Sequence, residues 1–209
     1  MGLRLPTLAT GNKMSVSRSA RATANSSTTT RPAGTAELVV DAEHFHRVVR
    51  TGLATAKTSL DIATADFKAM LVPRAGSRRA PSIVEVLRGL AGRGVEIRLL
   101  HAGTPSAPAL RELRQVLPKG LTIRRCPRLH AKTVVVDCRA MYLGSANLTG
   151  AGLGAKADGK RNFELGIWTE SAALIDGVLE QFNALWEGHH CESCRRKDVC
   201  PVPLEEPHL

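Results

Sequence analysis

An α/β domain with a mixed β-sheet flanked by helices is the fold class this sequence predicts. Three observations carry it. Between residues 41 and 125, helix-like and strand-like stretches alternate. After them come several strand-like stretches in succession, which favours antiparallel neighbours added to a parallel core. Hydrophobic residues make up 43% of the chain but aromatics only 3%, so Val, Leu, Ile and Ala must build the core.

The elements follow in order. Asp41 is placed to cap a helix whose apolar positions include Phe45, Val48, Val49 and Leu53. "SLDIATAD" alternates as a strand does. "PSIVEVLRGLAGRG" opens on Pro81 and closes on glycine, the expected punctuation of a helix. "VEIRLLHAG" reads as a strand, "APALRELRQVL" as a short helix and "LTIRR" as a strand. "RLHAKTVVVDCRAMYLGSANL", residues 128–148, reads as a hairpin, and "NFELGIWT" as one more strand. A final amphipathic helix carries Leu174, Ile175, Val178, Leu179, Phe182, Leu185 and Trp186 and stops at Gly188.

The hairpin is where polar residues intrude on an apolar pattern. Strand side chains alternate faces, so His130 and Lys132 share one. The run Val134-Val135-Val136 points to burial on both faces. Asp137 falls on the other face and, at about 3.3 Å per residue, roughly 20 Å from His130, which assigns it to the turn. A reversal centred on Cys138-Arg139 pairs Asp137 with Ala140, Lys132 with Ser145 and His130 with Asn147. A three-residue loop would break that register. Lysine, serine and asparagine are donors suited to a phosphoryl oxygen, and a histidine among them can attack phosphorus or move a proton. Glu164, the one acid in an otherwise apolar strand, is the candidate acceptor for holding the imidazole in one tautomer.

These residues resemble the signature of the phospholipase D superfamily. His130, Lys132 and Asp137 fit its H-x-K-x4-D motif, and Gly144, Ser145 and Asn147 follow as G-S-x-N after six intervening residues. The resemblance is specific over residues 128–168 and extends over 37–187. It implies a phospholipase D-like fold with one motif per chain. It implies His130 as nucleophile through a phosphohistidine, Lys132 and Asn147 on the phosphate oxygens with Ser145 assisting, and Glu164 orienting His130. Asp137 would be a structural part of the motif. No metal or other cofactor is implied for catalysis. The chemistry needs two histidines, and no second H-x-K occurs here: His44, His46 and His101 lack it. Single-motif members resemble small bacterial endonucleases that form a twofold dimer around one shared active site. The expected function is therefore a phosphodiesterase acting on nucleic acid. Hydrolysis of phospholipid headgroups and a non-catalytic nucleic-acid-binding module are the alternatives.

Charge points the same way. The formal net charge is +10, and residues 1–36 supply 5 of it through Arg4, Lys13, Arg18, Arg21 and Arg31 with no acid. An excess of this kind suits a polyanionic partner. Arg124, Arg125, Arg128, Lys156, Lys160 and Arg161 flank the motif and are candidates to track a phosphate backbone. Residues 1–36 read as a disordered basic Ser/Thr-rich tail without an apolar signal core. Such a stretch also resembles a transit peptide, and a later start such as Met14 fits equally. No apolar run reaches the roughly 20 residues of a membrane span, and the expected location is the cytoplasm. Residues 37–188 are then the phosphodiesterase domain and 189–209 a cysteine-rich tail.

The tail reads C-x2-C-x5-C through Cys191, Cys194 and Cys200, a pattern suited to metal. Cys126 is the favoured fourth ligand, with His189, His190 and Cys138 as alternatives. Structural zinc is the commoner occupant of such a set. A distant cysteine joined to C-x2-C-x5-C also resembles the staple that holds a [4Fe–4S] cluster in some RecB-like nucleases.

Overall fold

The computed structural model describes residues 36–73, 76, 78–114 and 118–205. Apart from Ala36, the expected N-terminal tail lies outside them. Seven strands form one sheet: β1 (Ala36–Val40), β2 (Ser59–Thr64), β3 (Glu96–His101), β4 (Leu121–Arg125), β5 (Thr133–Val136), β6 (Ala140–Gly144) and β7 (Leu165–Thr169). Their order is β1-β7-β6-β5-β2-β3-β4. β2, β3 and β4 run parallel, and β5, β6, β7 and β1 each join antiparallel to their neighbours. This is the mixed sheet expected of the sequence. β1 escapes the sequence reading because, at the sheet edge, only Val39 of its five residues is buried.

Helices α1 (Ile83–Ala91), α2 (Ala107–Leu113) and α3 (Ala172–Trp186) cover the sheet. α1 starts on a complete capping box: Ser82 accepts from the Glu85 N–H, and the Glu85 side chain accepts from the Ser82 N–H. A cap of this kind stabilises a helix by about 1 kcal/mol. On one face of the sheet Leu60, Ile62, Val134, Val136, Tyr142 and Trp168 join the core with Val48, Val49 and Leu53 and with the buried side of α1. On the other, Ile175 of α3 meets Val135 and Met141, and Phe182 and Trp186 meet Ala63 and Leu100. Each large apolar side chain buried this way stabilises the fold by about 1.5–3 kcal/mol. β5 is thus buried on both faces, as its valine run predicts.

Two expectations need correction. Asp41 does not cap the following helix. Its φ is +45, and its carboxylate accepts the Glu164 N–H at 2.8 Å. The helix it precedes is a π-helical turn, Phe45–Arg50, with His44 at its start. The second correction is the hairpin register. Val136, not Asp137, pairs with Ala140, so every partner shifts by one. The loop has three residues, Asp137, Cys138 and Arg139, with φ of +53 and +52 at the first two. Asp137 leaves the ladder because its carboxylate binds elsewhere, accepting the N–H groups of Lys57, Thr58 and Ser59 at 2.7–3.1 Å.

Candidate active site

The topology gathers one end of five strands. β5 runs antiparallel to β2, so the segment entering β5 lies beside the carboxyl end of β2. The same logic brings the end of β6 and the start of β7 alongside. His130 and Lys132 precede β5, Ser145 and Asn147 follow β6, and Glu164 precedes β7. Thr64 and His101 end β2 and β3. The carboxyl ends of parallel strands are the usual place for a ligand in such sheets.

His130 is exposed, while Lys132 beside it is buried. The Lys132 ammonium donates to the His130 carbonyl at 2.8 Å and lies 3.1 and 3.2 Å from the two ring nitrogens. Burial lowers the Lys132 pKa, and the nearby Glu164 carboxylate opposes that drop. The corrected register sets Lys132 against Gly144, whose N–H reaches the Lys132 carbonyl at 3.2 Å. Ser145 is thereby freed from the ladder. Its hydroxyl donates to Glu164 Oε2 and accepts the Leu165 N–H at 3.0 Å. Glu164 Oε1 accepts from Asn162 Nδ2 at 3.0 Å. Within the chain, then, Glu164 is bonded to Ser145 and Asn162, and the contact of the His130 ring is with Lys132.

Asn147 is fixed by its oxygen. Oδ1 accepts the Asp66 N–H at 3.1 Å and the Thr64 hydroxyl at 3.3 Å, which leaves Nδ2 as a donor for a ligand. Beneath the Gly144–Asn147 turn lies Tyr142, fully buried. Its hydroxyl accepts the Ala146 N–H at 3.1 Å and lies 2.9 Å from His44 Nε2, to which it donates because His44 Nδ1 faces a carbonyl. His44 therefore carries its proton on Nδ1 and donates it to the Asp41 carbonyl at 2.9 Å. Burial lowers the His44 pKa, and burial pushes the Tyr142 phenol up to about 12, so both stay neutral. Gly144 is required here: a Cβ would lie 2.3 Å from the Tyr142 hydroxyl and 2.6 Å from Gly166 Cα. Sequence reading missed this support, although Tyr142 is the chain's only tyrosine and interrupts an apolar strand.

Asp137 sits at the far end of β5, as the face argument expects. Partial burial alone would raise its pKa, but the N–H groups of Thr58, Ser59 and Lys57 outweigh it and hold the carboxyl below its ordinary value. A depressed folded pKa means stability that is full above the ordinary 3.8 and lost as pH falls through the folded value. Asp137→Asn is therefore expected to cost about 1–2 kcal/mol near neutrality, with the deficit shrinking in acid. Urea unfolding of both proteins at about pH 7 and about pH 3 checks this. Loss of activity at unchanged stability would mean that Asp137 serves the chemistry directly.

The flanking cations divide. Arg124 donates to the Trp186 carbonyl and stacks 4.7 Å from its ring, and Arg125 pairs with Glu205, so both are engaged in packing. Arg161 pairs with Asp158. Lys156 and Lys160 are exposed on the loop between Asn147 and Glu164. Arg128 is exposed and, with His130, Arg196 and Lys197, lines a cavity of about 430 Å³. Among the described residues no three His, Cys, Asp or Glu side chains are gathered closely enough to hold a single metal ion. Nor is any described helix long and apolar enough to cross a membrane.

Comparison with known proteins supplies the last observations. Residues 49–186 match a family model described as "Cardiolipin synthase, PLD-like domain". The chain resembles the structure of Nuc, a phospholipase D family member from Salmonella typhimurium, at 20% identity and a TM-score of 0.57, over 74% of this chain and 95% of that one. It resembles NucT from Helicobacter pylori at 15% identity and a TM-score of 0.56, over 74% of this chain and 96% of that one. No curated protein matches the sequence.

Proposed function

Since the chain belongs to the phospholipase D superfamily of phosphodiesterases, we propose that it is a nuclease that cleaves nucleic-acid phosphodiester bonds through a phosphohistidine. The observation that carries the substrate class is the cavity at His130, whose cationic wall of Arg128, Arg196 and Lys197 suits a polyanion. Lys156 and Lys160, exposed on the loop after Asn147, extend the positive surface.

In this reading a His130 ring nitrogen attacks phosphorus. A nitrogen–phosphorus bond forms as the bond to the leaving oxygen breaks. Lys132 and the Asn147 amide donate to the phosphoryl oxygens, which gain charge in the transition state. Ser145, held by Glu164, assists. A second imidazole gives its proton to the leaving oxygen. Water then attacks phosphorus, loses a proton to that imidazole and releases His130. Glu164 would steady an imidazole of the assembled site by accepting its N–H. The residues need no metal for these steps.

The second imidazole comes from a second copy. One chain holds a single motif histidine; His44 and His101 are fully buried, and His190, which borders the same cavity, lies outside the motif. An apolar face beside the site supports the pairing. Leu38 and Leu143 flank Ile167 in register, and Val40 flanks Leu165. Leu38, Leu165 and Phe163 are 59%, 57% and 97% exposed. Contiguous exposed apolar surface of this kind marks an interface, and a twofold axis makes it self-complementary.

The test is cleavage in buffer with EDTA. Protein is offered single- and double-stranded DNA, RNA and phosphatidylcholine vesicles. Metal-independent cleavage of nucleic acid is the expected result. Turnover of lipid alone would overturn the nuclease reading, and nucleic-acid binding without turnover of any substrate would make the chain a binding module.

A further inference from the structure

The cysteines near the end of the chain take no part in the phosphodiester chemistry, yet the fold brings four of the five together. After α3, Gly188 adopts φ +78 and the chain doubles back. The fit is close: a Cβ on Gly188 would stand 3.2 Å from Leu204 Cδ1 and 3.4 Å from Cys191 Sγ. The Cys191 N–H then bonds to the Gly188 carbonyl at 2.8 Å, and the Cys194 N–H to the Cys191 carbonyl at 3.2 Å. The returning segment is secured to the domain at its other end. Leu204 packs on the cluster of Leu129, Phe182 and Trp186 that Cys126 also touches. Glu205 accepts the Arg125 N–H through its carbonyl at 3.1 Å and pairs with the Arg125 guanidinium at 2.9 Å.

The result is that Cys126, Cys191, Cys194 and Cys200 all line the cavity that His130 also borders. The fifth cysteine, Cys138, is exposed in the β5–β6 turn at the other end of the strand. Four cysteines lining one cavity are a donor set suited to a thiophilic metal. The alternatives for the fourth position are placed less well. His189 pairs with Glu187 at 3.0 Å, and His190 borders the cavity without a bond fixing its ring.

We propose that Cys126, Cys191, Cys194 and Cys200 form a tetrathiolate site for a thiophilic metal centre that fastens the C-terminal segment to the strand end carrying His130. Each thiol loses its proton to solvent as its sulfur bonds to metal. The metal is supplied as zinc, or as iron with sulfide, and the thiolates undergo no redox change. The four cysteines line one cavity, but no three of them are gathered closely enough for a single ion. Zinc, with Zn–S bonds of about 2.3 Å, would draw them inward. A [4Fe–4S] cluster takes the same four-cysteine set without requiring the sulfurs to meet at one ion. The centre is structural. Its loss would release the segment that places Arg196 and Lys197 against the His130 cavity.

The experiment is metal analysis of the full chain purified without oxygen. About one zinc per chain supports a zinc site. About four irons with matching acid-labile sulfide support a cluster. Cys126→Ser and Cys191→Ser are each expected to cut the content to below about a tenth, while Cys138→Ser keeps all of it. Chelation of the wild type is expected to make the segment after Gly188 sensitive to limited proteolysis, a readout that does not depend on how the variants fold. A chain that carries neither metal and takes up neither zinc nor iron and sulfide after reduction would overturn the site. Full metal content in Cys126→Ser and Cys191→Ser would do the same.

Discussion

His130→Asn is expected to lower turnover by about 10³-fold or more, because the phosphorus then has no nucleophile in the site. Stability should be untouched. His130 is exposed, and its ring contacts are with Lys132, whose ammonium keeps the His130 carbonyl as an acceptor after the substitution. Surface substitutions of this kind change stability by about 0.5 kcal/mol or less, and the thermal midpoint by roughly 1–2 °C in a chain of this size. The measurements are steady-state cleavage, a melting curve, and quenched labelling for an acid-labile phosphohistidine. The labelled species should appear in wild type and be absent from the variant. Full cleavage by His130→Asn would remove this histidine from the mechanism. The buried histidines at the strand ends do not stand ready to replace it. His44 is committed to Tyr142 and Asp41, and His101, fully buried, donates from Nδ1 to the Gly103 carbonyl.

The parts of this site that could be read from sequence are those fixed by strand periodicity. The double burial of Val134–Val136 and the distance of Asp137 at the far end of β5 hold in the fold, whereas His130 and Lys132, read as strand residues, precede β5, with the Lys132 ammonium still reaching the His130 ring. The register did not follow, because it depends on a turn whose shape is set from outside. Asp137 is drawn to the N–H groups of Lys57–Ser59, about 80 residues away in sequence. Asp41 failed as a helix cap for the same reason: the Glu164 N–H, at the start of the neighbouring strand β7 and 123 residues on, takes its carboxylate. The edge strand β1 was invisible because it buries one residue and so shows no apolar rhythm. The C-x2-C-x5-C trio of Cys191, Cys194 and Cys200 was legible as spacing, and Cys126 is the favoured fourth ligand beside it because it would pin the tail to the domain; all four line one cavity. That the segment between Gly188 and Glu205 packs on the domain was not, since it rests on Leu204 and on the Arg125–Glu205 pair.

The assembly prediction has the other large effect. If one active site is built from two chains, a heterodimer of wild type with tagged His130→Asn holds one imidazole where the reaction needs two. Attack and protonation of the leaving group cannot both be served, and steady-state turnover should fall by about 10³-fold, close to that of the variant homodimer. One labelled phosphohistidine per pair is still compatible with this, because a single imidazole can attack a substrate with a good leaving group. The charges near the axis give a second, independent signal. Lys132 is buried, and burial already disfavours its ammonium; a mate's Lys132 brought close would disfavour it further. Anionic substrate between the two relieves that repulsion, so the dimer should tighten when oligonucleotide is present. Sedimentation with and without a non-cleavable oligonucleotide measures the tightening, and activity of the isolated heterodimer measures the sharing. Half of wild-type activity in the heterodimer would mean that each chain works alone. His130 would then need a proton donor from its own chain, and the exposed apolar face of Leu38, Leu143 and Leu165 would need another occupant.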